Sequence, residues 1–404
     1  MEETARTVEE VQRALAQVAS EPPAKERLNI VNLLRLALER SASDLHLAVG
    51  APPVFRIDGS LARSEFATLT REESKRLVYS LLTDNQKTQF ERDQELDFSI
   101  AIKDLGRFRV NVHYQRGSVE AAIRVVPPAV RSLEALGLPP EVADLARKPH
   151  GLILVTGPTG QGKTTTLASM IELINAERAA MIIVIEDPIE YVFKHNRSIV
   201  KQREVLADTK SFAEALRHSL RQDPNVIVVG EMRDLETIST ALTAAETGHL
   251  VLATLHTPDA PQTIDRIIDV FPPHQQQQVK IQLADCLQGV ISQQLLPRAD
   301  SFDAAQDRPF DSAHLVPSAL GARQGKRASG RVLAYEIMVA TSAVRALIRD
   351  HATSQLPTVI QTGGQYGMCT MDSCLKRLCQ QGLITYEIAI SHARFPKDFA
   401  DLKP

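Results

Sequence analysis

The stretch Leu152-Ile153-Leu154-Val155-Thr156-Gly157-Pro158-Thr159-Gly160-Gln161-Gly162-Lys163-Thr164-Thr165 decides the fold of this chain. An apolar run is followed at once by the pattern G-x-x-x-x-G-K-[ST], and then by a helical segment. In such a P-loop the glycines let backbone N–H groups turn inward around phosphate oxygens, and the helix N-terminus adds a favourable dipole. Lys163 is expected to bridge the β- and γ-phosphates, and the Thr164 hydroxyl is expected to ligate Mg²⁺. Residues 157–165 therefore predict a site for ATP and Mg²⁺.

Three more apolar runs follow the P-loop: Ile182-Ile183-Val184-Ile185, Val226-Ile227-Val228-Val229 and Leu250-Val251-Leu252-Ala253. The runs are continuous rather than alternating, which is typical of strands covered on both faces, and helical segments separate them. The pattern predicts an α/β domain with a parallel sheet at its core. Ligands of such sheets bind beyond the carboxyl ends of the strands, so the residues that follow the four runs are expected to converge.

Carboxylates follow the second and third of these runs. Glu186, Asp187 and Glu190 come after one run, and Glu231 comes after the other. Hydrolysis needs one carboxylate to hold Mg²⁺ or its water, and another to orient the attacking water. The spacing does not decide which glutamate is the base.

Two histidines flank the last run, His249 before it and His256 after it. An isolated histidine is more often a structural residue than a catalytic one. A histidine beyond a strand end, next to the nucleotide, can instead hydrogen-bond the γ-phosphate and report its hydrolysis. The sequence leaves both interpretations open.

Changes of pattern divide the chain. Residues 1–27 are a polar leader that ends at a Pro-Pro pair, and residues 28–127 alternate like a half-exposed sheet with helices, which predicts a small α+β domain. The proline-rich stretch 128–149 is predicted to be the connection to the α/β domain, residues 150–404. Within that domain, residues 299–330 lack periodicity and are long for an internal loop, so a disordered insertion is expected.

Arginines recur across the two predicted strands 107–114 and 119–126 of the first domain, at positions Arg107, Arg109, Arg116 and Arg124. Arg107 and Arg109 are two residues apart and share one face of the sheet. They form either an ordinary solvated face or a set from which some reach phosphate, in the same chain or across a subunit boundary, as arginine fingers do.

Composition excludes several classes of protein. The 404 residues include 44% hydrophobic and 24% charged positions, which is typical of a soluble globular chain, and no apolar stretch is long enough for a membrane span. The N-terminus has no signal-peptide pattern, and four cysteines give no disulfide framework, so a cytoplasmic location is expected. A net charge of −3, no tryptophan and 4% aromatic residues argue against nucleic acid as a partner.

The order of these motifs resembles the type II secretion and type IV pilus ATPase family. The segments that carry the resemblance are 43–47, 52–59, the P-loop, 186–190, 217–223, 230–234 and 243–256. Segments 244–249, 263–272 and 341–349 are most similar to the pilus retraction ATPases of that family. The resemblance implies a PAS-like N-terminal domain, a RecA-like ATPase domain, a homohexameric ring, and a cytoplasmic motor that acts through an inner-membrane pilus platform protein, with a paralogous retraction ATPase as a further partner.

The resemblance also implies roles for single residues. Lys163 and Thr164 match the Walker A pair, Glu190 matches the glutamate assigned to water activation, and Glu231 matches the Walker B glutamate, which with Thr164 would hold the metal. His249 and His256 match the histidine box of the family. Arg109 and Arg124 match the N-terminal arginines that reach nucleotide.

Cysteine spacing favours retraction over assembly. Assembly and type II secretion ATPases usually carry a four-cysteine zinc insertion with C-x-x-C pairs. Here Cys369, Cys374 and Cys379 are spaced by five, so on a helix they would share no face, and we interpret them as packing residues. The remaining alternatives are an assembly ATPase, a weakly hydrolysing regulatory ring partner and a nucleic-acid motor.

Overall fold

The computed structural model describes residues 28–57, 60–103, 105–126, 130–299 and 330–402. The leader predicted for residues 1–27 lies outside these ranges, as does the insertion predicted for residues 299–330 apart from its two end residues. The chain divides into two compact units, residues 1–127 and residues 128–404. No helix in the described ranges is long and apolar enough to cross a membrane.

The first unit is an antiparallel sheet with helices packed on it. Its strands are β1 (Asp44–Leu47), β2 (Val54–Ile57), β3 (Ser60–Arg63), β4 (Glu95–Ile102), β5 (Gly106–Gln115) and β6 (Ser118–Val125), and its helices are α1 (Ile30–Glu39), α2 (Arg71–Tyr79) and α3 (Asp84–Asp93). The described strands lie in the order β3-β2-β1-β6-β5-β4. Phe108, Val110 and Val112 on β5 point into the core, so the arginines that alternate with them lie on the other face.

Two of these elements were not predicted. Helix α3 buries only Phe90, so its sequence carries no apolar stripe; it begins at a capping box formed by Thr83 and Gln86. Strand β3 is a short, largely exposed edge strand, which gives it no hydrophobic signature.

The second unit contains a sheet with strand order β13-β12-β7-β11-β10-β8-β9. Its strands are β7 (Gly151–Thr156), β8 (Met181–Glu186), β9 (Ile199–Glu204), β10 (Val226–Val229), β11 (Leu250–Leu255), β12 (Leu287–Pro297) and β13 (Arg331–Val339). Its helices are α4 (Pro140–Ala146), α5 (Lys163–Glu177), α6 (Phe212–Ser219), α7 (Leu235–Glu246), α8 (Ala260–Asp269), α9 (Pro273–Cys286), α10 (Ser342–Arg349), α11 (Leu356–Thr362), α12 (Met371–Gln380) and α13 (Tyr386–His392).

The sheet is parallel from β12 to β9, but β13 runs antiparallel to β12. The predicted α/β architecture is therefore confirmed, and the expectation of a purely parallel sheet is corrected to a mixed one. An edge strand pairs on one side only, so either direction can be added to a parallel core.

Successive residues of the central strands enter two different cores. Leu152 and Leu154 of β7 pack into one cluster of buried side chains, whereas Ile153 and Val155 pack into another. Because side chains alternate across a strand, both faces of the sheet are covered by helices. This is why the central strands read as unbroken apolar runs.

The stretch predicted as a connection contributes to the second unit. Within it, helix α4 places Val142 and Leu145 in the same core cluster as Ile153. The boundary between the two units lies between residues 127 and 128.

The three cysteines interpreted as packing residues do not all lie on one helix. Cys369 precedes α12 and exchanges backbone hydrogen bonds with Ile337 of β13, whereas Cys374 lies on α12 and is fully buried. Cys369 and Cys379 are half-buried against the cluster that contains Cys374.

Glu336 on β13 makes the stability of this unit depend on pH. Its Oε1 accepts a hydrogen bond from the Ala260 backbone N–H at 2.9 Å, and burial raises the pKa of its carboxyl to about 7. A carboxyl with a raised pKa favours the folded state below the pKa of the unfolded chain, and this contribution is lost as the pH rises through 7.

We therefore expect Glu336→Gln to raise the melting temperature at pH 8 and to change it little at pH 5. The glutamine keeps the acceptor for Ala260 but carries no charge. Thermal unfolding of both proteins at the two pH values checks this, and an equal shift at pH 5 and pH 8 would show that Glu336 is not the titrating group.

Candidate functional site

The P-loop connects β7 to α5 at the carboxyl edge of the sheet. Gly157, Gly160 and Gly162 have φ values of 136°, 80° and 83°, a region that side chains disfavour. A Cβ at Gly157 would lie 2.3 Å from the backbone oxygen of Gln293, so only glycine fits there. These conformations give the loop the concave backbone that phosphate binding requires.

The ammonium of Lys163 lies inside this loop. Its Nζ donates hydrogen bonds to the backbone oxygens of Gly157 at 2.7 Å and Pro158 at 2.9 Å. Burial lowers the pKa of Lys163, while the carboxylates of Glu231 and Glu190 act in the opposite direction. The P-loop cation and both predicted acids therefore share one electrostatic environment.

Glu231, which follows β10, is connected to the P-loop through a histidine. Its Oε1 lies 3.0 Å from Nε2 of His256, and Nδ1 of His256 lies 3.2 Å from the hydroxyl of Thr159. The two ring nitrogens thus connect the Glu231 carboxylate to the Thr159 hydroxyl through the imidazole. Residues from β10, β11 and the P-loop thus form one polar chain, as the convergence of strand ends predicted.

Arg233 is a further member of this chain that the sequence did not single out. Its Nε lies 2.6 Å from Glu231 Oε1. Burial raises the pKa of Glu231, but the hydrogen bond from Arg233 and the charges of His256 and Arg233 lower it further than burial raises it. Glu231 is therefore kept as a carboxylate, the form that can accept a proton or ligate a metal.

The acidic loop after β8 is held by the edge strand β9. Gln202 accepts a hydrogen bond from the Phe193 backbone N–H and donates to the Tyr191 backbone oxygen at 2.6 Å. The Glu204 carboxylate accepts from the Ile189 backbone N–H at 3.0 Å. Two side chains of β9 thereby fix the backbone on both sides of Glu190.

Tyr191 ties this acidic loop to the start of α5. Its hydroxyl lies 3.0 Å from the hydroxyl of Thr165, the residue after the predicted metal ligand Thr164. Thr164 itself borders a small cavity together with Glu186 and Gly230. The loop that carries Glu190 and the P-loop helix are therefore neighbours in the folded unit.

Not every predicted residue comes to this site. His249 precedes β11, and its Nδ1 contacts the backbone oxygen of Ala244 at 2.9 Å. Because β11 is parallel to β7 and is six residues long, His249 lies about 20 Å from the edge that carries His256. The structure brings His256 to the P-loop of its own chain but does not bring His249 there, so the role of His249 stays a prediction.

Arg109 and Arg124 lie in the first unit, directly opposite each other on β5 and β6. Nε of Arg124 donates to Asp44 Oδ1 at 2.9 Å, so this arginine is engaged within its own unit. Both residues stay predicted nucleotide contacts.

The donor set fits magnesium better than a transition metal. The described part of the chain has no cluster of three or more His, Cys, Asp or Glu side chains that could hold a metal. Mg²⁺ usually takes one or two protein oxygens and completes its shell with phosphates and water. The Thr164 hydroxyl and the Glu231 carboxylate are oxygen donors of this kind.

Comparison with known proteins places these features in context. The sequence profile described as "Type II/IV secretion system protein" matches residues 20–385. The chain is 44% identical to the type IV pilus retraction ATPase PilT of Pseudomonas aeruginosa, over 92% of this chain and 100% of that protein. It is 42% identical to a twitching motility protein of Neisseria gonorrhoeae, over 91% of each chain. The crystal structure of the pilus retraction motor PilT with bound ADP matches with a TM-score of 0.80 and 48% identity, over 92% of this chain and 98% of that chain.

Proposed function

This chain belongs to the type II/IV secretion system protein family and is an ATPase, and from this premise we propose that it is the motor that retracts a type IV pilus. It works as a homohexamer that uses ATP and Mg²⁺. One observation carries the proposal: Glu231 and His256 form a polar chain that reaches Thr159 of the P-loop, the loop that also holds the Lys163 ammonium. The chain that contains this site is similar to a retraction ATPase over that protein's whole length.

Each site residue has a part in this proposal. Lys163 binds the β- and γ-phosphates, and the Thr164 hydroxyl and the Glu231 carboxylate hold Mg²⁺, which neutralises charge that builds up on the phosphoryl oxygens. Glu190 orients the attacking water. His256, between Thr159 and Glu231, transmits the state of the nucleotide to β10 and β11.

The first unit contributes through its arginines. Arg109 and Arg124 contact nucleotide from the PAS-like unit, and the RecA-like unit supplies the P-loop. The release of phosphate frees the units to change their relative orientation, and this motion drives retraction. The motor acts from the cytoplasm on an inner-membrane pilus platform protein, alone or with a paralogous retraction ATPase.

Deletion of the gene separates retraction from assembly. We expect the deletion strain to carry excess surface pili and to lose twitching, because pilin is still assembled but is not withdrawn. The full-length gene restores twitching, and the same gene with Lys163→Ala does not. Electron microscopy of surface pili and a twitching assay check this. A strain without surface pili would instead identify the chain as an assembly ATPase.

A further inference from the structure

One buried glutamine on β12 contacts the P-loop at two residues and the helix that follows the loop at a third. The Gln293 side chain accepts a hydrogen bond from the Thr166 hydroxyl at 2.9 Å and donates to the Gln161 backbone oxygen at 2.7 Å. Its own backbone oxygen lies against Gly157. Gln293 is only 1% exposed, so these contacts are made away from solvent.

The Gln161 side chain anchors the loop to the same strand from the other direction. Its Oε1 accepts a hydrogen bond from the Leu295 backbone N–H. The side chain of Gln293 thus holds the backbone of Gln161, and the side chain of Gln161 holds the backbone of Leu295. A P-loop can form without such contacts, because its phosphate ligands are backbone N–H groups and a lysine.

The bond from Gln293 sets the direction of one peptide group in the loop. A trans peptide is planar, so its carbonyl oxygen and its N–H point in opposite directions. With the Gln161 oxygen turned toward Gln293 on β12, the Gly162 N–H points away from Gln293. Because Gly162 has no side chain, it can adopt its present φ of 83° as well as negative φ values. The peptide between Gln161 and Gly162 can therefore turn over.

We propose that Gln293 is a positioning residue for nucleotide binding, because its amide holds the Gln161–Gly162 peptide with the Gly162 N–H directed at the nucleotide phosphates. If the peptide turned over, a carbonyl oxygen would face the phosphates in place of a donor. This inference rests on the nucleotide-binding part of the proposed function and is independent of retraction.

The test measures ADP binding by calorimetry on the full chain. Gln293→Met keeps the length of the side chain and removes both hydrogen bonds, and we expect ADP to bind at least 10-fold more weakly. Gln294→Met is the matched control on the same strand, because the Gln294 side chain contacts His392 and not the P-loop. We expect Gln294→Met to bind ADP within about threefold of the wild type.

A second pair of variants separates positioning from packing. Thr166→Val removes the other hydrogen bond of the same amide and leaves the bond to Gln161, so it should lower the melting temperature without weakening ADP binding. Gln293→Glu keeps the acceptor for Thr166 but places a carboxylate oxygen against the Gln161 oxygen, so it should weaken ADP binding at least as much as Gln293→Met. This second Gln293 variant also serves if Gln293→Met does not fold.

The outcomes are distinguishable. Wild-type affinity in a folded Gln293 variant overturns the inference, as does an equal loss of affinity in Thr166→Val. If the wild-type chain does not bind ADP, both the nucleotide site and the inference are overturned. If the wild-type chain binds ADP but the deletion strain twitches normally, only the retraction proposal is overturned.

Discussion

Replacing Lys163 by alanine is expected to lower kcat/KM for ATP hydrolysis by about 100-fold to 1000-fold. The Lys163 ammonium is buried within the P-loop and is held there by the Gly157 and Pro158 oxygens, so its charge is already in position when phosphoryl charge develops. Alanine removes the only buried cation described inside this loop. Phosphate release with Mg-ATP measures the effect.

Lys148→Ala is the control for Lys163→Ala. Lys148 is an exposed lysine of the same unit, and its loss removes the same charge from the chain without touching the loop. We expect the Lys148→Ala variant to hydrolyse ATP at the wild-type rate. More than a tenth of wild-type activity in Lys163→Ala would contradict the assignment of the P-loop site.

The substitution Glu231→Gln is expected to slow turnover by about 100-fold to 10,000-fold and, because Glu231 is a proposed ligand of Mg²⁺, to weaken Mg²⁺-dependent nucleotide binding as well. Glutamine keeps the size of the side chain but cannot act as a base and is a weaker metal ligand. Arg233 and His256, which hold the carboxylate in its charged form, would face a neutral amide. Single-turnover hydrolysis measures the loss of the base, and ADP affinity in the presence of Mg²⁺ measures the loss of the metal ligand.

The same assay applied to Glu190→Gln decides between the two predicted acids. The glutamate that acts as the base should lose the chemical step and keep its metal-dependent nucleotide affinity, whereas a metal ligand should lose both. Glu246→Gln, an exposed glutamate at the end of α7, serves as the matched control and should leave turnover unchanged. Wild-type turnover in both Glu190→Gln and Glu231→Gln would refute the site.

The parts of the fold that were predicted are those whose signal is local. The P-loop motif is contiguous, and β7, β8, β10 and β11 read as apolar runs because each is covered on both faces. Strand β9 was missed because it pairs on one side only and because its sequence, Ile199–Glu204, has just two apolar residues, both at its start. The antiparallel direction of β13 depends on its partner strand and leaves no trace in its own sequence.

The parts of the site that were missed are long-range contacts. Gln293 lies far along the chain from the P-loop, and Gln202 is a polar residue in a strand that carried no motif. No local signal singles out Gln293, because β12 also carries Gln288, Ser292 and Gln294. His249 shows the reverse case. The closeness of His249 and His256 in the sequence suggests one shared site, but they flank the two ends of β11 and so lie at opposite edges of the sheet.

The edge position of β9 has a consequence for how the enzyme loses activity on heating. Gln202 and Glu204 hold the loop that carries Glu190, yet β9 pairs only with β8. Segments at the rim of a sheet open by local unfolding at a smaller free energy than the core requires. Fraying of this strand would release the acidic loop while the P-loop, on the central strand β7, stays folded. ATP hydrolysis is then lost at the temperature at which β9 opens, which is lower than the temperature at which the central strands unfold.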